Sequence, residues 1–205
     1  MGSIYNLKPQ FQYLLRPAIR RLAQAGVTPN AITISAMAGS FCAGLALWLG
    51  RGESIWLLLI PPWLFTRMAL NAIDGMLARE RNMATPRGMA LNEVGDVLSD
   101  IALYLPLAVW SAEASVPAVA FTLGAMLTEF CGLLGCALGS GRRYEGPMGK
   151  SDRAVLIGGL CLVTWFSPGA LSGWKWIFAI ATPLTIMTCR NRIVNAIRKT
   201  QNRSY

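Results

Sequence analysis

Apolar residues gather in six long stretches separated by short polar segments: Asn30 to Leu49, Ile55 to Ala78, Met89 to Ala112, Val116 to Leu138, Ala154 to Phe166 and Trp174 to Cys189. A helix needs about 20 apolar residues to cross bilayer hydrocarbon, so the pattern predicts six transmembrane helices. The fifth stretch is short and is expected to begin before Ala154, in the polar segment holding Ser151 and Asp152. Ahead of them, Phe11, Leu14, Leu15, Ala18, Ile19 and Leu22 recur at helical spacing, with Arg16, Arg20 and Arg21 elsewhere on the wheel. Residues 1–26 are therefore expected to form an amphipathic helix lying on the membrane, started or bent by Pro9 and Pro17. They lack an apolar h-region, so no cleavable signal peptide is expected. The predicted fold class is an all-α integral membrane protein, with this interfacial helix followed by a six-helix domain over residues 27–205.

Composition agrees with the pattern. The 205-residue chain is 54% hydrophobic and only 14% charged, and its mean hydropathy of +0.43 lies outside the usual soluble range. Lys and Arg set the orientation, because basic loops stay cytoplasmic. They crowd the segment before the first stretch (Lys8, Arg16, Arg20, Arg21) and the second-to-third loop (Arg79, Arg81, Arg87). They also crowd the fourth-to-fifth loop (Arg142, Arg143, Lys150, Arg153) and the C-terminus (Arg190, Arg192, Arg198, Lys199, Arg203). Only Arg51 and Lys175 fall on the other side, and Arg67 lies inside a stretch. Both termini are expected in the cytoplasm. This bias, with attraction to anionic membrane lipids, accounts for the net charge of +9, and no nucleic-acid partner is expected.

Histidine is absent, which removes Ser-His-Asp triads, H-E-x-x-H zinc sites and a covalent histidine intermediate. Cys42, Cys131, Cys136, Cys161 and Cys189 all sit in apolar stretches without metal-like spacing and read as packing residues. The remaining chemistry belongs to carboxylates, amides, Lys and Arg.

Those groups are not scattered. At about 100° per residue, Arg67, Asn71, Asp74 and Ala78 share one face of the second helix. Gly88, Asn92, Gly95, Asp96, Ser99 and Asp100 form a stripe on the third. A short cytoplasmic loop joins the two helices, so the stripes should face each other, with Gly88 and Gly95 allowing close approach. Asn71 lies roughly 12 Å before Arg79 at 1.5 Å per residue, which puts the cluster inside the membrane near its cytoplasmic surface. An ionised carboxylate there is unfavourable by at least about 2.5 kcal/mol, so a cluster of them marks a functional site. The bland reading is that Arg67 merely pairs with Asp74 while the asparagines glue helices together. Clustered oxygen ligands on two helices suit a hard cation, Mg²⁺ or Mn²⁺.

The stretch "DGMLAR" at Asp74 to Arg79, followed at fixed spacing by Gly88, Asn92 and Asp96, resembles the signature of the CDP-alcohol phosphotransferase family, D-x2-D-G-x2-A-R-x8-G-x3-D-x3-D. The resemblance extends to "TPNAIT" at Thr28 to Thr33 and "GKSDR" at Gly149 to Arg153. It implies a bacterial inner-membrane enzyme of phospholipid biosynthesis, a homodimer with its active site facing the cytoplasm. Such an enzyme moves a phosphatidyl group from CDP-diacylglycerol to a polar alcohol and releases CMP by metal-assisted direct displacement. The resemblance also implies the roles: Asp96 as general base; Asn71, Asp74, Asn92 and Asp96 around one or two metal ions; and Asn30, Thr33, Asp74, Gly75, Ala78, Arg79 and Gly88 around CDP.

Asn71 and Asn92 stand where the family has its first and third aspartates, which makes this a divergent branch. An amide oxygen can ligate a metal but brings no charge. Asp100, one turn beyond Asp96, is expected to replace one lost carboxylate; the contrasting reading pairs it with Arg67. Glu93 and Glu129 are weaker candidates. Arg142, Lys150 and Arg153 are expected to bind a phosphate on the acceptor, favouring a phosphorylated polyol. Gly135 and Gly139 form a small-x3-small pair suited to close helix packing. Two rivals stand beside the enzyme: a transporter, which would not need the D-G-x2-A-R spacing, and a catalytically silent family member acting as a lipid-binding or partner subunit.

Overall fold

The structure is a computed structural model that describes residues 8–202, with side chains from Phe11 onward. The expectations for residues 1–7, the Lys8 side chain and Arg203 lie outside the described residues. Among the described residues seven α-helices follow one another: α1 (Lys8–Gln24), α2 (Pro29–Leu49), α3 (Ile60–Glu80), α4 (Pro86–Tyr104), α5 (Ser115–Ala137), α6 (Lys150–Phe166) and α7 (Trp174–Gln201). No strand occurs among the described residues. Three segments, Pro29–Leu49, Ser54–Glu80 and Ser115–Ala137, are long and apolar enough to cross a membrane.

Each apolar stretch falls on a helix, but the ends differ for physical reasons. The second stretch opens as a 3-10 turn over Ser54–Leu59, and α3 proper starts at Ile60, where Pro61 and Pro62 fill first-turn positions needing no N–H partner. The third ends as α-helix at Tyr104, because Pro106 cannot continue the ladder and a 3-10 turn over Leu105–Val109 takes over. As expected, α6 begins before Ala154, at Lys150, where the Asp152 carboxylate accepts from the Gly149 N–H at 3.0 Å. The last apolar run stops at Cys189, yet α7 continues to Gln201. Hydropathy marks where hydrocarbon ends, and a helix can continue beyond it.

Helix α1 lays Ile19 against Ile32, Ile73, Met76 and Leu77 of α2 and α3, while Tyr13 and Leu14 point outward. Gly26, with φ +73°, ends it, and the Val27 N–H returns to the Leu22 carbonyl at 3.0 Å. Helix α2 packs on α3 and α4, α3 on α6, and α5 on α7. The contact between α2 and α4 is close: a Cβ on Gly44 would lie 1.9 Å from the Ala102 carbonyl oxygen. Gly135 faces the chain's own loop, where a Cβ would meet the Gly141 carbonyl at 2.6 Å, and Gly139 adopts φ +75° just past α5. The small-x3-small pair thus serves a turn within the chain.

The core at one end of the bundle is apolar, with Leu47, Leu57, Leu103, Phe121, Ile157, Trp174 and Phe178 inside it. Its indoles satisfy their N–H groups locally, Trp174 to the Thr164 hydroxyl at 2.8 Å and Trp110 to the Leu47 carbonyl at 3.1 Å. Large apolar side chains also cover the outside, including Phe65, Val116, Phe130 and Phe166, as a lipid-facing surface requires. At this end Lys175 pairs with Glu113, and that hydrogen bond holds the Glu113 carboxyl below the usual carboxylate range. The opposite end carries the candidate site.

Candidate active site

Local chemistry positions the three helices that build the site. Thr28 caps α2 by accepting from the Ala31 N–H at 3.2 Å, and Thr85 caps α4 by accepting from the Gly88 N–H at 3.0 Å; each is followed by a proline that presets the first turn. These caps bring Asn30 over Gly88, where a Cβ would lie 2.9 Å from the Asn30 amide oxygen. One turn further on, the buried Thr33 hydroxyl donates to Asp74 Oδ2 at 2.8 Å, tying α2 to α3. Near the C-terminal end of α3, a Cβ on Gly75 would lie 3.4 Å from an Arg79 guanidinium nitrogen. The CDP residues expected from sequence, including half-buried Ala78, therefore share one corner of the bundle.

Asp96 faces this corner from α4 and is only 6% exposed. Asn71 Nδ2 donates to its Oδ1 at 2.8 Å, and Arg67 approaches the same oxygen at 3.4 Å and the Asp96 backbone carbonyl at 3.0 Å. Lys150, at the start of α6, forms an ion pair with Asp96 Oδ2. Asp74 is near enough to interact electrostatically with both Asp96 and Lys150. Asn92 is half-buried on α4, one turn before Asp96.

Asp100 is placed differently from a cage ligand. Arg67 Nη1 takes its Oδ1 at 2.6 Å and Arg153 Nη2 takes its Oδ2 at 2.8 Å, so both oxygens face guanidinium groups rather than the Asp74–Asp96 corner. Arg67 accordingly reaches α4 and not Asp74. Arg153 is wholly buried with both terminal nitrogens engaged: beyond Asp100, it bonds Glu129 at 2.8 Å, the Thr128 hydroxyl at 2.8 Å and the Met148 carbonyl at 3.1 Å. Arg142 pairs with Glu93 and, at 2.7 Å, with Glu129. Arg142 lies in the loop after α5, where burial lowers its pKa from the ordinary guanidinium value.

Sequence reasoning missed Arg192. It is 3% exposed on α7, donates to the backbone carbonyls of Thr128 and Glu145, and lies 3.9 Å from Glu129. It stood hidden in a basic C-terminal run whose charge orientation alone explained.

The donor set fits a hard divalent ion. Asp74 and Asp96 supply charge, Asn71 and Asn92 supply amide oxygens from adjacent turns, and a cation, the Lys150 ammonium, already stands at Asp96. Asp74 and Asp96 are the two carboxylates that this donor set would bring to an ion.

The chain is 45% identical to the inner membrane protein YnbA of Escherichia coli K12 over 93% of this chain and 94% of that one. It shares its fold with the Mycobacterium tuberculosis phosphatidylinositol phosphate synthase. The structure of that enzyme with CDP-DAG bound superposes with a TM-score of 0.72 at 22% identity, covering 88% of this chain and 92% of the other. Its structure with manganese and citrate superposes with a TM-score of 0.72 at 23% identity, over 88% and 87%. The family pattern itself matches residues 26–189, and the chain belongs to the CDP-alcohol phosphatidyltransferase family.

Proposed function

We propose that this chain transfers a phosphatidyl group from CDP-diacylglycerol to the hydroxyl of a polar alcohol, at the cytoplasmic face of the bacterial inner membrane. The observation that carries the reading is the meeting of Asp74, Asp96 and Lys150 beside the Gly75–Arg79 and Asn30–Gly88 corner. The mycobacterial enzyme of the same fold was solved with CDP-DAG and with manganese, which supports both the donor and the metal.

Gly75, Ala78 and Gly88 leave room for the nucleotide, Asn30 and Thr33 line its other side, and Arg79 meets a donor phosphate. A divalent ion, Mg²⁺ or Mn²⁺, held by Asp74, Asp96 and the amide oxygens of Asn71 and Asn92 supplies neutralisation of the diphosphate and a better CMP leaving group. Asp96 takes the proton of the acceptor hydroxyl as its oxygen bonds to the lipid-bearing phosphorus and the bond to CMP breaks. Arg67 and Asn71, bonded to Asp96, keep that carboxylate aimed.

Lys150 is the most open cation of the expected acceptor set, with a side chain 31% exposed against 15% for Arg142 and 0% for Arg153. An acceptor phosphate therefore meets Lys150 and Arg142. Arg153 acts by holding Asp100 and Glu129 in place, and Asp100 acts by holding Arg67 and Arg153. The family's homodimer belongs to the same reading. The test is to incubate purified protein in lipid with CDP-diacylglycerol, Mg²⁺ or Mn²⁺ and a panel of polyols and polyol phosphates, reading CMP and lipid products by mass spectrometry. A lipid product bearing the acceptor is expected, best with a phosphorylated polyol; no CMP release with any acceptor would overturn the reading.

A further inference from the structure

Eight ion pairs join α3, α4, α5, α6, α7 and the loop after α5 into one connected set. Four of its members are carboxylates, Glu93, Asp96, Asp100 and Glu129. Five are cations: Arg67, Arg142, Lys150, Arg153 and Arg192. Asp74, interacting with Asp96 and Lys150, brings this set to five carboxylates against five cations, a balance struck by side chains alone, with exposed Arg79 standing outside it. Aspartates at positions 71 and 92 would leave the same site two charges negative and in need of a divalent ion.

Asn71 does more than omit a charge. Its amide donates to Asp96 Oδ1, a bond that an ionised aspartate cannot make. Lys150 occupies the other oxygen. Asp96 is thus satisfied on both sides by the chain itself. A divalent ion entering alone would leave two buried positive charges without partners, which is strongly unfavourable in a low-dielectric setting. A diphosphate arriving with the ion brings the missing negative charge.

We propose that this chain takes up one divalent cation, and only together with the diphosphate, the Asn71 amide and the Lys150 ammonium holding the ion's place at Asp96 until then. The proposal rests on the reading that this corner receives a CDP-bearing donor. It makes metal and nucleotide obligate co-ligands, each raising the affinity for the other by the same factor.

The test uses the full chain in nanodiscs of phosphatidylcholine, so that lipid charge does not gather the ion. Mn²⁺ is the probe, and its free signal is followed by electron paramagnetic resonance with and without CDP, against protein-free controls. CDP should tighten Mn²⁺ binding by roughly tenfold or more, with one ion per chain at saturation. Lys150→Met, and separately Asn71→Asp combined with Asn92→Asp, should each bind Mn²⁺ without CDP roughly tenfold more tightly than the wild type. Wild-type Mn²⁺ affinity independent of CDP, a second ion per chain, or an unchanged CDP-free affinity in Lys150→Met would each overturn the proposal. Should the aspartate variant not fold, the wild type and Lys150→Met decide the matter. CDP-coupled Mn²⁺ uptake by a chain that makes no lipid would sink the transferase reading and leave this one standing.

Discussion

Around Trp174, Phe121 and Phe178, helices α5 and α7 meet through rings, with the Phe121–Phe178 centroids 5.4 Å apart and Trp174 edge-on to Phe178 at 6.1 Å. Further along the same helices, about two turns on α5 and about four on α7, they meet through Glu129 and Arg192, with Arg153 of α6 and Asp100 of α4 completing the layer. The ring layer is non-directional and tolerates exchange of one apolar shape for another of similar volume. The ionic layer tolerates no such exchange, because removing one partner leaves the other charged and buried. One end of the bundle can absorb substitution, and the other trades that tolerance for a fixed polar geometry at the site.

Four substitutions sharpen or break this contrast. Asp96→Asn should lower turnover by roughly a hundredfold or more while the protein still elutes as a folded species in size-exclusion chromatography, since a proton acceptor is lost and shape is kept. Retained turnover would remove Asp96 from the chemistry. Arg153→Met should destabilise the fold by about 3 to 5 kcal/mol through the stranding of Asp100 and Glu129, read as a large fall in thermal midpoint in detergent. Asp100→Asn should be milder, about 2 to 3 kcal/mol, since the amide oxygen keeps one arginine while its NH2 group can no longer accept from the other, with the Mg²⁺ concentration for half-maximal rate unchanged. A raised Mg²⁺ requirement would instead make Asp100 a cage ligand. Phe178→Leu should be mildest, about 1 kcal/mol, with turnover intact; a loss matching that of Arg153→Met would erase the distinction between the two layers.

Much of this was legible before any coordinates. Apolar runs located the helices, and the 100° wheel put Asp74 and Asp96 on facing stripes. The 3-10 turns at Ser54–Leu59 and Leu105–Val109 were not, because hydropathy counts them as membrane whatever their hydrogen-bonding pattern. The ionic layer was hidden for another reason. Arg192 lies 64 residues from the Thr128 carbonyl it bonds, and Arg153 lies 53 from Asp100. Periodicity assigns a residue to a face but is silent about which distant face will meet it. Asp100 shows the limit most clearly: its position one turn from Asp96 suited a metal ligand as well as an arginine partner, and only the arrival of Arg67 and Arg153 on its two oxygens distinguishes them.

Glu129 takes contacts from Arg142, Arg153 and Arg192 together, and this shapes how such a chain can change over generations. Losing Arg142 or Arg192 takes away only a share of one anion's compensation, and the arginines that remain still serve it. Losing Glu129 first leaves Arg192 without a carboxylate, while Arg142 keeps Glu93 and Arg153 keeps Asp100. The order of mutational steps therefore matters: lineages can drift at Arg142 and Arg192 one by one, whereas Arg153, which serves Asp100 as well, and the glutamate become replaceable only after their neighbours have gone, so positions 129 and 153 should be the last of the four to vary.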